Sequence, residues 1–139
     1  MRNGTLGWLR SGGAARLSVC GSLISGPVDV TFTTGSLVLG SGAEDGTPNC
    51  GPNVIIGSVR LSNNAGAIGL WDNIINGPVF LSNNTGHGDA DQPGSGPEVE
   101  ANTIFGPLWC SGNTPAPTDD HQPNSVQGQA TGQCAGLAG

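Results

Sequence analysis

Between Asn53 and Pro107 apolar and polar positions alternate with a period of two, in a phrase written twice and begun a third time. Asn53 to Gly66 reads NVIIGSVRLSNNAG, Asn73 to Gly86 reads NIINGPVFLSNNTG, and Asn102 to Asn113 reads NTIFGPLWCSGN. The second copy starts 20 residues after the first, and the third 29 residues after the second. Alternate residues, Ile55, Gly57, Val59 and Leu61, then Ile75, Gly77, Val79 and Leu81, then Ile104, Gly106, Leu108 and Cys110, define one buried face per copy. A repeat this short has no room for a helical crossover between parallel strands. The pattern therefore predicts an all-β parallel β-helix of short strands and tight turns, with equivalent residues stacked about 4.8 Å apart. The handedness preference of parallel crossovers makes the expected coil right-handed.

Stacking gives the recurring phrase a physical meaning. Asn53, Asn73, Asn102 and Asn124 are expected to form a ladder of side-chain amides at one corner, and Gly57, Gly77, Gly106 and Gly128 a bend. Ser22 to Val30 follows the same phrase, with Ile24, Gly26, Val28 and Val30 inward. Leu17 and Val19 align with Leu37 and Leu39 and with Ile68 and Leu70, which predicts a second kind of wall. Gly40 to Pro52 and His87 to Gly96 read as inserted loops. The sum is one domain over residues 1–139, of about six coils: N-terminal coils 1–52, regular coils 53–113, and a disulfide-closed cap 114–139.

Composition narrows the function classes. With 25 Gly and 10 Pro in 139 residues the chain would border on low complexity if it had no period, but it has one. A net charge of -6 with four Lys or Arg leaves no basic surface for a phosphate backbone, so nucleic acid is not an expected partner. No apolar run is long enough for a membrane span. Met1 to Arg10 lacks the apolar core of a signal peptide, whereas four cysteines in a Gly- and Ser-rich chain point to an oxidising compartment. A secreted or cell-surface protein whose signal, with or without further coils, has been trimmed away reconciles the two.

The cysteines fit the stacking. Cys20 and Cys50 precede the corner residues Ser22 and Asn53, Cys110 is inward, and Cys134 closes the last partial coil. Of the three connectivities open to four cysteines, this favours Cys20 with Cys50 and Cys110 with Cys134. The ending, Leu108-Trp-Cys-Ser-Gly-Asn-Thr-Pro-Ala-Pro117, Gln122-Pro-Asn-Ser-Val-Gln-Gly128 and Thr131-Gly-Gln-Cys134, resembles that of a group of secreted, uncharacterised actinobacterial proteins with a pectin-lyase-like right-handed parallel β-helix. The resemblance spans about Val19 to Ala135. It implies export and a right-handed β-helix, and it carries over no catalytic residue.

Candidate chemistry lies in loops and on outward positions. His87, Asp89 and Asp91, and Asp119, Asp120 and His121, could converge at one edge as paired carboxylates for glycosidic cleavage. The competing reading is solvated loop decoration, and Arg60, the only Lys or Arg after Arg16, leaves such a site poorly equipped. No catalytic residue is therefore assigned and no cofactor is expected. Asp89, Asp91, Asp119 and Asp120 are also the calcium candidates, with Glu98 and Glu100 further along; no metal site is assigned.

The outward residues are Ile56, Ser58 and Arg60, then Asn76, Pro78 and Phe80, then Phe105, Pro107 and Trp109. Aromatics gather where Ser, Thr and Asn are the usual choice. Phe80, Phe105, Trp109 and Arg60 form either a platform for a sugar or protein partner, or a patch that an inserted loop or the tail folds over. The expected function is a non-catalytic extracellular structural or adhesive module, self-associating through an end or a wall. A carbohydrate-binding module and a small polysaccharide-active enzyme are the alternatives.

Overall fold

The computed structural model describes residues 1–40, 51–86 and 96–139. Among them there is no helix, and sixteen short strands stack into three parallel sheets. A short-strand wall holds β1 (Thr5–Leu6), β4 (Leu23–Ile24), β7 (Val54–Ile55), β10 (Ile74–Ile75), β13 (Thr103–Ile104) and β15 (Ser125–Val126), neighbours in that order. A long-strand wall holds β2 (Leu9–Gly12), β5 (Val28–Thr31), β8 (Val59–Ser62), β11 (Val79–Ser82), β14 (Leu108–Ser111) and β16 (Ala130–Gly132). The third wall holds β3 (Leu17–Val19), β6 (Leu37–Gly40), β9 (Ile68–Trp71) and β12 (Glu98–Glu100). Each strand pairs with its counterpart in the next coil, which is the β-solenoid of about six coils that the repeat predicts.

Alternation selects the core. Ile24, Ile55, Ile75 and Ile104 stack on the short-strand wall. Val28, Val59, Val79 and Leu108 form one column on the long-strand wall and Val30, Leu61, Leu81 and Cys110 another. Leu39, Leu70 and Val99 line the third wall. All are buried in one hydrophobic core. Branched aliphatics suit these columns because identical side chains repeat at the strand spacing and interdigitate without voids.

The corners are built from asparagine. In the expected ladder, Asn73 Nδ2 donates to the Leu39 carbonyl and to Asn102 Oδ1, while its N–H donates to the same Oδ1; Asn102 repeats this with Leu70 and Asn124. A second ladder, Asn64, Asn84 and Asn113, ends on Gln133, with Nδ2 donors to the Val30, Leu61 and Leu81 carbonyls. It went unread although the final Asn of the repeat is its signal. Each turn would otherwise bury orphaned backbone groups, and the amides satisfy them.

Glycine makes the bend between the short and long strands. A Cβ on Gly77 would lie 2.5 Å from the Gly57 carbonyl oxygen, and one on Gly57 2.8 Å from the Gly26 carbonyl carbon, so the column excludes side chains. At the far end Cys110 is bonded to Cys134, and the tail folds back so that Asn124 N–H donates to the Leu137 carbonyl and Gly139 N–H to that of Asn124. Cys20 is also disulfide-bonded; its expected partner Cys50 lies outside the described residues.

Candidate functional site

The register of the long-strand wall sets its outward face. One column runs Arg10, Asp29, Arg60, Phe80, Trp109 and Thr131. The residues just before the strands, Trp8, Pro27, Ser58, Pro78 and Pro107, lie alongside, where the Pro27, Ser58, Pro78 and Pro107 carbonyls accept the first N–H of the neighbouring strand. On the other flank stand Gly12, Thr31, Ser62, Ser82 and Ser111. A parallel stack thus turns a repeating sequence into a flat surface about one residue wide per coil.

Within the central column the groups are already arranged. The Phe80 and Trp109 rings are 4.7 Å apart, tilted by 49°, and Arg60 Cζ lies 5.7 Å from the Phe80 ring centroid. Such ring pairs and guanidinium contacts each add stabilisation beyond area burial. Trp109 is nonetheless 45% exposed and Trp8 64%. Arg60 leans over Phe80, and Asp29 Oδ1 is buried with no hydrogen-bond partner. Among the described residues no ion pair joins Asp29 to Arg10 or Arg60, although the three are register neighbours. Between Trp8, Arg10, Pro27, Asp29, Ser58 and Arg60 the wall sinks into an open groove of about 470 Å³.

The structure divides the residues expected to share this face. Phe80, Trp109 and Arg60 stand together, but Phe105 does not join them. With Ile56 and Asn76 it precedes the glycine bend and belongs to the short-strand wall, where the backbone N–H groups of Ile56, Asn76 and Phe105 pair with the preceding coil. The alternation was read straight through a bend that turns the chain. That wall carries its own exposed aliphatics, Leu23, Val54 and Ile74, each directly beside its corner residue, a position the sequence reading passed over. Arg10 and Asp29 were missed as well, because an outward charged residue gives no signal of its own until register sets its neighbours.

The acidic loop candidates fare differently. Asp119 and Asp120 lie in a turn where Asp119 Oδ1 accepts the His121 N–H and Thr118 Oγ1 accepts that of Asp120. Asp120 and His121 both take left-handed backbone angles. The Asp119 side chain thus serves the turn itself. His87, Asp89 and Asp91 lie outside the described residues. Among the described residues no group of three or more His, Cys, Asp or Glu could hold a metal ion. Glu98 and Glu100 occupy outward register positions on β12, opposite Gly69 and Trp71, and both are buried.

No known protein family, no curated protein and no solved structure matches the chain. The wall itself is therefore the basis for a functional reading.

Proposed function

We propose that the protein is a non-catalytic structural or adhesive β-solenoid module of the extracellular environment, and that it makes contact through its long-strand wall. The observation that carries this reading is the column of Arg60, Phe80 and Trp109, packed against one another yet open to solvent on a flat, repetitive face. Large apolar groups held in place before binding lose little entropy when a partner covers them. The disulfides of Cys20, Cys110 and Cys134 suit a secreted or cell-surface location. The likeness of the C-terminal ending to secreted proteins with pectin-lyase-like β-helices favours the same location.

The aromatic pair also favours a second reading, a carbohydrate-binding module in which sugar faces stack on Phe80 and Trp109. One experiment addresses both. Adhesion of the wild type and of a Phe80→Ser/Trp109→Ser variant is measured on insoluble polysaccharide surfaces and on a surface coated with the protein itself. Loss of adhesion in the variant, which still unfolds in one cooperative thermal transition, is the expected result. Undiminished adhesion, or release of new reducing ends from the polysaccharide, would overturn the proposal.

A further inference from the structure

We infer that the partner of the long-strand wall is a second copy of this chain, docked face to face with its solenoid axis reversed. The inference rests on the reading of that wall as the contact surface and names what it contacts.

The argument begins with the order of charges. Along the central column the wall reads positive, negative, positive, aromatic, aromatic, in Arg10, Asp29, Arg60, Phe80 and Trp109. Rotation about a two-fold axis lying in the interface, parallel to the strands and between β5 and β8, keeps each column facing itself and reverses the order of coils. Asp29 then faces the partner's Arg60, and Arg60 the partner's Asp29. One coil further out, Arg10 faces the partner's Phe80, a cation over an aromatic ring. In the flanking column Trp8 meets the partner's Pro78. Each contact occurs twice, as an isologous interface requires.

The alternative two-fold, parallel to the solenoid axis, would set Arg10 on Arg10, Asp29 on Asp29 and Arg60 on Arg60. Like charges facing each other oppose that arrangement. With this axis the partner's Phe80 comes over β2, at the rim of the groove, and Trp109 lies beyond the partner's first coil. Asp29 supplies a second reason: its buried Oδ1 has no hydrogen-bond partner within the chain. A neutral polysaccharide would use the rings but gives no role to alternating charge.

Size sets the strength. With the axis between β5 and β8 four coils overlap, and four strands of about six residues including flanks make a face of roughly 20 by 19 Å, on the order of 400 Å². This falls short of the roughly 800 Å² per partner of a standard stable interface, so the dimer is weak. Its charged pairs are partly exposed, and salt weakens it further.

Sedimentation velocity over a wide range of protein concentration, at low and high salt, tests this. The wild type is expected to pass from monomer to dimer, and no further, as concentration rises. Arg60→Asp places a second carboxylate opposite Asp29 and weakens the dimer by about tenfold; the exchange Asp29→Arg/Arg60→Asp restores it. Phe80→Ser weakens it through a different contact, and since Arg60 is exposed and Phe80 partly so, both single variants remain folded by thermal unfolding. A wild type that stays monomeric throughout, assembly that continues past the dimer, a dimer indifferent to Arg60→Asp and Phe80→Ser, or an exchange that fails to rescue Arg60→Asp overturns the inference. If the wild type is monomeric while Phe80→Ser/Trp109→Ser abolishes adhesion to polysaccharide, the self-pairing fails and the contact wall stands. If adhesion also survives that double variant, both fail.

Discussion

Asparagine does two different jobs in the repeated Ser-Asn-Asn of this chain. Asn63 and Asn83 take left-handed backbone angles, φ 57° and 56°, and the asparagine after each turns inward to a ladder. Asparagine tolerates that backbone region better than other side chains, and the amide then satisfies the backbone the turn would orphan. Replacing Asn84 by Ala removes the acceptor for Asn64 N–H and the donor to the Leu61 carbonyl. Urea unfolding should register a loss of about 2 to 4 kcal/mol, from two buried backbone groups left unsatisfied. Phe32 stands at the equivalent left-handed corner with φ 58° and 61% exposure, before Thr33 instead of an asparagine. A large side chain there is strained with little burial to offset it, so Phe32→Asn should raise stability by about 0.5 to 1 kcal/mol in the same assay.

At the scale of the strand and its coil, alternation was the readable signal. Ile55, Ile75 and Ile104 point inward as the period of two requires, and all are fully buried. Ile75→Ala should cost about 2 to 5 kcal/mol in chemical unfolding, since neighbours above and below hold the cavity open. Periodicity carried less far where the chain bends. Nothing in the alternation from Ile56 to Arg60 marks where one wall ends, and Phe105 was assigned to the wrong face for that reason. The glycine between is the clue, since a Cβ there would strike the backbone of the coil before. The third wall has a glycine column of its own. A Cβ on Gly66 would lie 1.7 Å from the Gly35 carbonyl oxygen, and one on Gly86 1.5 Å from that of Gly66. Backbone cannot yield as a flexible side chain can. Gly66→Ala should therefore destabilise by about 1 to 3 kcal/mol, measured by thermal unfolding.

As a whole molecule the solenoid has unlike ends. The C-terminal end is closed by the Cys110–Cys134 bridge, the buried Leu137 and the bonds between the tail and Asn124. At the other end Leu6, Leu9 and Leu17 of the first coil are only partly buried against the core. The bridge closes a loop with a sequence separation of 24, so a Cys110→Ala/Cys134→Ala variant should lose about 3 kcal/mol by the chain-entropy account. The cysteine placement made this bridge legible, because an inward column and a closing coil must meet. The outward face of the long-strand wall was legible only in part. Phe80, Trp109 and Arg60 stood out as aromatics and a lone cation in polar positions, but Trp8, Arg10 and Asp29 become their neighbours only once register is fixed. The central claim is that contact is made by the long-strand wall and not by the aliphatic short-strand wall. Hydroxyl-radical footprinting of the dilute and the concentrated protein decides between them. Protection of Trp8 and Phe80 without protection of Ile56, Ile74 and Phe105 is the predicted result, whereas protection of those three with Trp8 and Phe80 left reactive would contradict it.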